Sequence, residues 1–569
     1  MTAGDGIALE PALLAAGPLW TERRLQGLLL AAVCVLLALC VLLPVGSLLM
    51  RSVLDGEGRF VGLANFAAYL ETPALRDSAW RSLRLASLSA LICVAIAYVY
   101  AYALTRSCMR FKPLFRAIAL IPLLTPSLLM AISLIYLFGN QGLLKPWMGG
   151  GSIYGESGIV AGSVLWTLPH ALLILTTALS TSDARLYEAA RTLGASRWRE
   201  FTSVTLPASR YGLLMAFVVV FVLVITDFGV PKVVGGQAGV LATDIYKQVV
   251  GQQNFQMGAV VAMVLLLPAV LAFALEAHLR KRQAAALSLR ASPLVPQPQA
   301  LRDGLLFLFC VLVAGVLLTV LAVAVFASLA SYWPYDLRPA LKNYDFDNMD
   351  GGGWATYGHS LTLALGTAVA GAVATFVSAW LVDKPRAFGP ARGALGAMAS
   401  LPLAVPGLAL GLGYILFFNA PWNPFHGLYG TMTILVVCTV AHYFSVGHLT
   451  QLTALRQLDR EYEVVSESLG VPFWRTVARV HLPVCLPAML EVAGYFFVNA
   501  MTTVSAVVFL YSPQTTLASV AVLNMDDAGD VAPAAAMAVL IFATAAAARG
   551  VLALLQRALL RRTQAWRTR

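Results

Sequence analysis

Charged residues are scarce in this 569-residue sequence: they make up 12%, against about 25% in ordinary globular proteins. Apolar and aromatic residues together make up 59%. This composition excludes a chain built only of soluble domains. The net charge of +11 does not indicate nucleic-acid binding, because the basic residues stand in short loops between long apolar runs. The composition therefore predicts a chain that lies mostly in the lipid bilayer, with no nucleic-acid partner.

Patterns typical of metal sites, disulfide frameworks and nucleotide binding are also missing. The seven cysteines are odd in number and never spaced as CxxC, and the seven histidines include no HExxH pair. None of the seven lysines follows a glycine, so the sequence has no GxxxxGK[ST] phosphate-binding loop. We therefore expect no metal site, no catalytic residues and no cofactor in this chain.

Long apolar runs dominate what is present. A helix needs about 20 residues to cross about 30 Å of hydrocarbon, and the first run is too long for the core of a cleaved signal peptide. The runs predict an all-α polytopic membrane protein with about twelve transmembrane helices. Their approximate ranges are 26–50, 85–105, 117–139, 158–180, 211–226, 257–278, 304–330, 361–382, 396–418, 430–450, 488–511 and 533–556.

Lysine and arginine are distributed unequally between the loops. With the N-terminus placed inside, the inner segments carry 28 of these residues and the outer segments carry 10. Because loops rich in lysine and arginine stay in the cytoplasm, this bias predicts that both termini are cytoplasmic.

The two halves of the sequence repeat each other. Residues 183–207 align with 459–483 at an offset of 276, with eight of 25 positions identical. Six spans in each half give a parallel repeat. The sequence thus predicts a first domain at 1–278, a polar, basic cytoplasmic linker at 279–303 and a second domain at 304–569.

The repeated segment predicts an elbow of two short helices. In the first copy, Gly194 permits the left-handed turn that ends the first helix, and the second helix (196–205) ends where Pro207 breaks it at the next span. One side of the elbow is polar and the other carries Ala, Leu, Trp and Phe. An amphipathic helix lying on lipid headgroups is the alternative, but recurrence in both halves favours a paired docking element.

The first elbow, EAARTLGASRWREFTSVTLP, resembles the E-A-A-x3-G-x9-I-x-L-P pattern of permease subunits of ABC importers, with Val204 in place of the isoleucine. The second copy departs from the pattern, since Val464, Val465 and Ser466 replace Glu-Ala-Ala, with Glu463 one place early. The coupling residues that the resemblance and the repeat together indicate are Glu188, Ala189, Ala190, Gly194, Trp198, Leu206, Pro207, Gly470, Trp474, Leu482 and Pro483.

The resemblance implies that the elbows sit in clefts on a homodimer of ATP-binding subunits, which carry the ATP and Mg²⁺, and that a periplasmic binding protein delivers the cargo. It implies a multi-pass protein of the bacterial inner membrane. The fused twelve-span arrangement resembles permeases for ferric iron, thiamine and 2-aminoethylphosphonate. Segment 226–270 looks most like the aminoethylphosphonate members, so that zwitterion is the expected cargo, with ferric iron or thiamine as the alternatives.

Few residues suggest a path for the cargo. Asp227 ends the fifth span, where it lines a gate or caps a helix end, because ionisable residues near spans are costly and often functional. Pro126 and Pro406 stand at equivalent places in the third and ninth spans, where they widen a cavity or merely bend the helix. An ion-coupled secondary transporter is the alternative class, although such proteins usually need several mid-span carboxylates or histidines.

Overall fold

The computed structural model of the chain describes residues 17–286, 292 and 294–563. The first half contains thirteen helices within that part of the chain. They are α1 (Gly17–Leu37), α2 (Leu43–Ser52), α3 (Ala64–Glu71), α4 (Pro73–Arg106), α5 (Lys112–Leu120), α6 (Ser127–Phe138), α7 (Glu156–Ser180), α8 (Ala184–Thr192), α9 (Arg197–Glu200), α10 (Leu206–Thr226), α11 (Gly229–Val234), α12 (Leu241–Tyr246) and α13 (Phe255–Ala286).

The second half repeats this plan over ten helices of the described ranges. They are α14 (Ala300–Leu329), α15 (Gly353–Asp383), α16 (Gly389–Ser400), α17 (Gly407–Phe418), α18 (Met432–Arg456), α19 (Glu461–Ser468), α20 (Phe473–Thr476), α21 (Leu482–Thr502), α22 (Ala518–Ala528) and α23 (Val531–Thr563). A short antiparallel hairpin, β1 (Ala330–Tyr332) and β2 (Asp336–Pro339), follows α14.

The prediction of an all-α polytopic membrane protein is confirmed. Within the described residues, ten helical segments are long and apolar enough to cross a bilayer, and the number rises to twelve if each of two bent pairs counts as one span. The bent pairs are α5 with α6 and α16 with α17, and they coincide with the predicted third and ninth spans.

Each bent pair returns the chain across the bundle. In the first half, Arg81 Nε lies 3.3 Å from a Glu156 carboxylate oxygen near the starts of α4 and α7, and Arg106 donates to the Leu179 carbonyl at 2.7 Å near their ends. The two helices therefore run parallel, so the chain between them must cross back. We call the end of the bundle with Arg106 and Leu179 the elbow face, and the end with Glu156 the far face.

The third and ninth spans are broken rather than bent. The paired helices meet at 104° in the first half and 112° in the second. Thr125 and Pro126 both have an extended backbone conformation. In the second half Val405 is extended as well, and Pro406 has a ψ of 143°. Proline pushes the preceding residue out of the helical region and lacks an N–H of its own, so two successive residues leave the helix. The expectation of simple helix bending at Pro126 and Pro406 is wrong.

The first helix of each half packs against the other half. The Tyr414 hydroxyl of α17 donates to the Cys40 carbonyl at 2.7 Å, which fixes the first helical segment on the second half. Conversely, Phe307 of α14 makes an edge-to-face contact with Phe115 of α5 at 5.5 Å between ring centroids. The halves are thus interlocked through buried apolar contacts.

The connection between the halves begins as helix. Helix α13 runs on to Ala286, past residue 278 where the first domain is predicted to end. Residues 287–291 and 293 of the predicted linker lie outside the described residues, as do residues 1–16 and 564–569. The domain boundaries and the placement of both termini stay predictions.

Candidate functional site

The first elbow has the predicted two-helix shape. Asp183 caps α8 by accepting from the Arg185 backbone N–H at 3.1 Å, and Ser196 caps α9 through the Arg199 N–H at 3.3 Å. Between them Gly194 has a φ of +72°, which glycine adopts without the steric cost that a Cβ imposes. Two caps and one left-handed residue therefore define the turn between the helices.

The second elbow has the same shape although its sequence departs from the first. Gly470, with φ of +64°, separates α19 from α20, and the extended Pro472 precedes the first residue of α20. The replacement of Glu-Ala-Ala by Val-Val-Ser leaves this turn unchanged, because the turn depends on the glycine and on the start of the second helix.

The proline at the end of each elbow does not interrupt the helix. The predicted break at Pro207 is wrong, since α9 continues into α10 through one π-helical turn, in which the Leu206 N–H bonds to the Phe201 carbonyl. The same turn precedes Pro483, where the Leu482 N–H bonds to the Val477 carbonyl. Proline is tolerated in the first turn of a new helical register, so each elbow is joined to its span without interruption.

The outer side of both elbows exposes large apolar side chains. Leu193 is 86% exposed and Trp198 74% exposed in the first elbow, and Leu469 and Trp474 are 72% and 50% exposed in the second. Contiguous exposed apolar surface of this kind marks an interaction site. The other predicted coupling residues that are exposed are Glu188, Ala189, Gly194, Leu206, Pro207, Gly470 and Leu482, whereas Ala190 and Pro483 are half-buried.

The inner side of the first elbow is anchored by Tyr187, which is buried. Its hydroxyl donates to Thr205 Oγ1 at 3.2 Å, and the Arg106 guanidinium lies over its ring at 5.0 Å. Since Arg106 also bonds to Leu179, the elbow is attached to the ends of α4, α7 and α10 together. The exposed Arg191 pairs with Glu200, and this hydrogen bond raises the pKa of the guanidinium.

The inner side of the second elbow has ionisable side chains at the same two positions. At the offset of 276, Glu463 replaces Tyr187 and His481 replaces Thr205. The His481 Nε2 lies 2.9 Å from the Glu463 carboxylate. The Glu463 carboxylate therefore points toward the spans, whereas an acidic residue that contacts the ATP-binding subunit would point outward. The alignment of the two halves indicates this inward direction, because it places Glu463 opposite Tyr187, a large residue, rather than opposite Glu188.

The residues expected along a cargo path fall in two places. Asp227 is half-buried and its carboxylate accepts from the Ser127 hydroxyl and the Val230 N–H, both at 2.9 Å. It caps the N-terminus of α11 and ties that helix to the break after Pro126. Pro406 lies at the equivalent break of the second half, where no carboxylate takes the corresponding position, Thr503.

Comparison with known proteins gives a family match in both halves. The family described as "Binding-protein-dependent transport system inner membrane component" matches residues 94–285 and 386–561. A ferric transport system permease protein FbpB of Actinobacillus pleuropneumoniae is 26% identical over 79% of this chain and 66% of its own length. A putative ferric transport system permease protein of Haemophilus influenzae is 26% identical over 76% of this chain and 70% of its own.

Other similarities cover less of the chain. The molybdenum transport system permease protein ModB of Mycobacterium tuberculosis is 30% identical over 36% of this chain and 80% of its own length. A bacterial ABC transporter that imports alginate, known as a crystal structure, aligns with a TM-score of 0.39 at 16% identity, over 47% of this chain and 98% of its own. The chain spans about two thirds of the length of its ferric relatives.

Each half contains one copy of the matched family, and together the two copies cover more than half of the sequence. The long apolar helices, the parallel arrangement of the two halves and the paired elbows agree with this assignment. The chain therefore belongs to the family of binding-protein-dependent transport system inner membrane components, as a transport subunit of an ABC importer with two permease domains in one chain.

Proposed function

We propose that the chain forms the membrane pathway of an importer whose two elbows dock on two ATP-binding subunits in the cytoplasm. The observation that carries this proposal is the pair of exposed apolar elbows at one face of the bundle, with Trp198 and Trp474 at matching places. A separate ATPase is required because the sequence has no phosphate-binding loop. The excess of lysine and arginine at the elbow face supports its cytoplasmic placement.

The unbroken joint between elbow and span supports a mechanical role for the elbows. Because α9 continues into α10, and α20 into α21, a displacement of either elbow moves a long helix that reaches the far face. Arg106 connects the same displacement in the first elbow to α4, and Trp380 of α15 donates to His481 at the joint between the second elbow and α21. Approach of the two ATP-binding subunits would therefore move both halves of the pathway and open it to alternate sides.

Ferric iron is the cargo that we propose. The support is the similarity to two ferric permeases over more than three quarters of this chain, whereas the expected 2-aminoethylphosphonate gains no support from the comparisons. The iron would be a transported substrate and not a resident metal of the protein. Tight ligation by protein side chains would slow its release. The Asp227 carboxylate, fixed at the first break, would offer a cation one electrostatic contact.

Uptake by whole cells distinguishes the cargoes. Cells that produce the permease with its ATP-binding and binding-protein partners are given radiolabelled ferric iron, 2-aminoethylphosphonate or thiamine in separate assays. We expect ATP-dependent accumulation of iron and no accumulation above the empty-vector control for the other two. Accumulation of the phosphonate or thiamine instead of iron would overturn the cargo assignment and leave the permease assignment intact.

Glu188 is expected to strengthen docking of the ATP-binding subunit to the first elbow. Its carboxylate is exposed on the outer side, and one charged contact at an interface rim contributes about 1 kcal/mol, which corresponds to roughly fivefold in Kd. Glu188→Ala should weaken binding of the purified ATP-binding subunit by about that factor. The matched control is Glu57→Ala on the far face, where the carboxylate is also exposed; equal effects of the two changes would contradict docking at this residue.

A further inference from the structure

A buried cluster of charges lies between the second elbow and the spans. Lys384 Nζ is 3.0 Å from the Glu463 carboxylate and 3.7 Å from Asp383. The side chain of Lys384 is only 4% exposed, that of Glu463 17% and that of His481 2%. Charges this deeply buried are rare unless they are paired, and Glu463 bonds to both Lys384 and His481.

Hydrogen bonds around His481 determine which of its nitrogens carries the proton. The Trp380 Nε1–H donates to His481 Nδ1 at 3.1 Å, so Nδ1 accepts and is unprotonated. The proton then resides on Nε2, which donates to Glu463 at 2.9 Å. Arg456 completes the set with a contact of 3.4 Å to Asp383, so that two cations face two carboxylates around a neutral imidazole.

The cluster joins four parts of the second half. Trp380 and Asp383 belong to the end of α15, and Lys384 follows it directly. Glu463 belongs to the elbow helix α19, and His481 to the π-helical turn that leads into α21. A movement of the second elbow therefore acts on the end of α15 through the ionic contact of Glu463 with Lys384, and on α21 through the hydrogen bond of Glu463 with His481. Both contacts tolerate little change in distance within a poorly solvated site.

The first elbow lacks this arrangement at the equivalent positions. There the connection is made by a hydroxyl bond between Tyr187 and Thr205, by a cation–π contact from Arg106, and by edge-to-face packing of Phe201 on two tyrosines of α4. The first elbow has Glu188 exposed on the outer side, whereas the second has Glu463 on the inner side. The two halves are thus connected to their elbows by different chemistry.

We infer that Lys384, Glu463 and His481 are positioning residues that transmit the movement of the second elbow to α15 and α21. The inference rests on the proposed function, since it assumes that the elbows receive movement from an ATPase. Their main effect is on how much transport each hydrolysis event produces, because they are buried, whereas Trp474 of the docking side is 50% exposed and is joined to the cluster through the stacked rings of Phe473 and Trp380.

The test compares coupling in reconstituted complexes of permease, ATP-binding subunit and binding protein. Glu463→Gln keeps the shape of the side chain and removes its charge. We expect cargo transported per ATP hydrolysed to fall by roughly tenfold, within the usual range for coupling between sites, while docking of the ATP-binding subunit stays within about twofold. Tyr187→Phe, at the matched position of the first elbow, should change transport per ATP by only about twofold, which corresponds to the lower end of the range for one neutral hydrogen bond, about 0.5 kcal/mol.

A double variant separates positioning from folding. Glu463→Gln with Lys384→Met removes both charges of the central pair, a change that is often neutral for stability because no unpaired buried charge remains. Thermal stability should recover in the double variant while transport per ATP stays low. Recovery of normal transport per ATP, or normal coupling in Glu463→Gln alone, would overturn the inference. Absence of ATP-dependent transport by the wild-type complex would instead contradict the proposed function itself.

Discussion

Replacement of Gly194 by proline is expected to abolish uptake while the chain stays folded in the membrane. Gly194 has a φ of +72°, whereas the proline ring holds φ near about −65°. No heavy atom lies within 4 Å of the position that a Cβ would take, so the change acts on the backbone alone. A proline in an incompatible backbone costs about 3 kcal/mol. This cost corresponds to roughly a hundredfold decrease in the equilibrium constant for docking of the elbow on the ATP-binding subunit.

Uptake, membrane abundance and ATPase docking are the measurements for this prediction. Gly194→Ala should lower docking by only about fivefold, since one left-handed alanine costs about 1 kcal/mol. The matched control is Gly58→Pro in a far-face loop, because Gly58 also has positive φ and no neighbour within 4 Å, and there uptake should persist. Normal uptake by Gly194→Pro would contradict a role for the elbow turn.

Asp526→Asn is expected to stabilise the protein above pH 6 and to leave its stability unchanged near pH 4. Asp526 lies in the short far-face helix α22, outside the predicted spans. Burial, with a smaller contribution from the neighbouring Asp527, raises the pKa of its carboxyl from 3.8 to about 6. The folded chain therefore binds this proton more tightly than the unfolded chain, and the free energy of unfolding falls as the pH rises through that interval.

The expected gain is about 2–3 kcal/mol at pH 7.5, because each pKa unit corresponds to about 1.4 kcal/mol. Thermal unfolding in detergent at several pH values measures it. The control is Asp527→Asn, which removes the ion pair of 2.9 Å with Lys232 of the first half and should lower stability slightly at pH 7.5. A gain for Asp526→Asn that does not depend on pH would show that desolvation of the carboxylate is not its cause.

The elbows were predictable from sequence because their shape depends on local signals. A capping residue, a glycine and a helical spacing of apolar residues recur at one offset, and each acts within a few residues of itself. The alignment places Glu463 opposite the buried Tyr187 and so indicates its inward direction. Its partners were not predictable, since Lys384 and His481 lie far apart in sequence and meet only after folding.

The breaks at Pro126 and Pro406 were placed correctly but underestimated. A single proline inside a helix often causes only a kink, and the prediction did not include the effect of each proline on the conformation of the residue before it. The interlocking of the halves was missed altogether, because an apolar run contains no information about which helix it packs against. Tyr414 and Cys40, which join α17 to the first helical segment, are separated by most of the chain.

ATP hydrolysis on partner subunits, received at both elbows, is the energy source proposed for this permease. Proteoliposomes that contain the chain and its ATP-binding partner, supplied with loaded binding protein, test this proposal most directly. With ATP on the elbow side and no ion gradient, we expect uptake that stops when ATP is withheld and that a proton or sodium gradient cannot restore. Uptake driven by such a gradient without ATP would contradict the proposal and identify a secondary transporter.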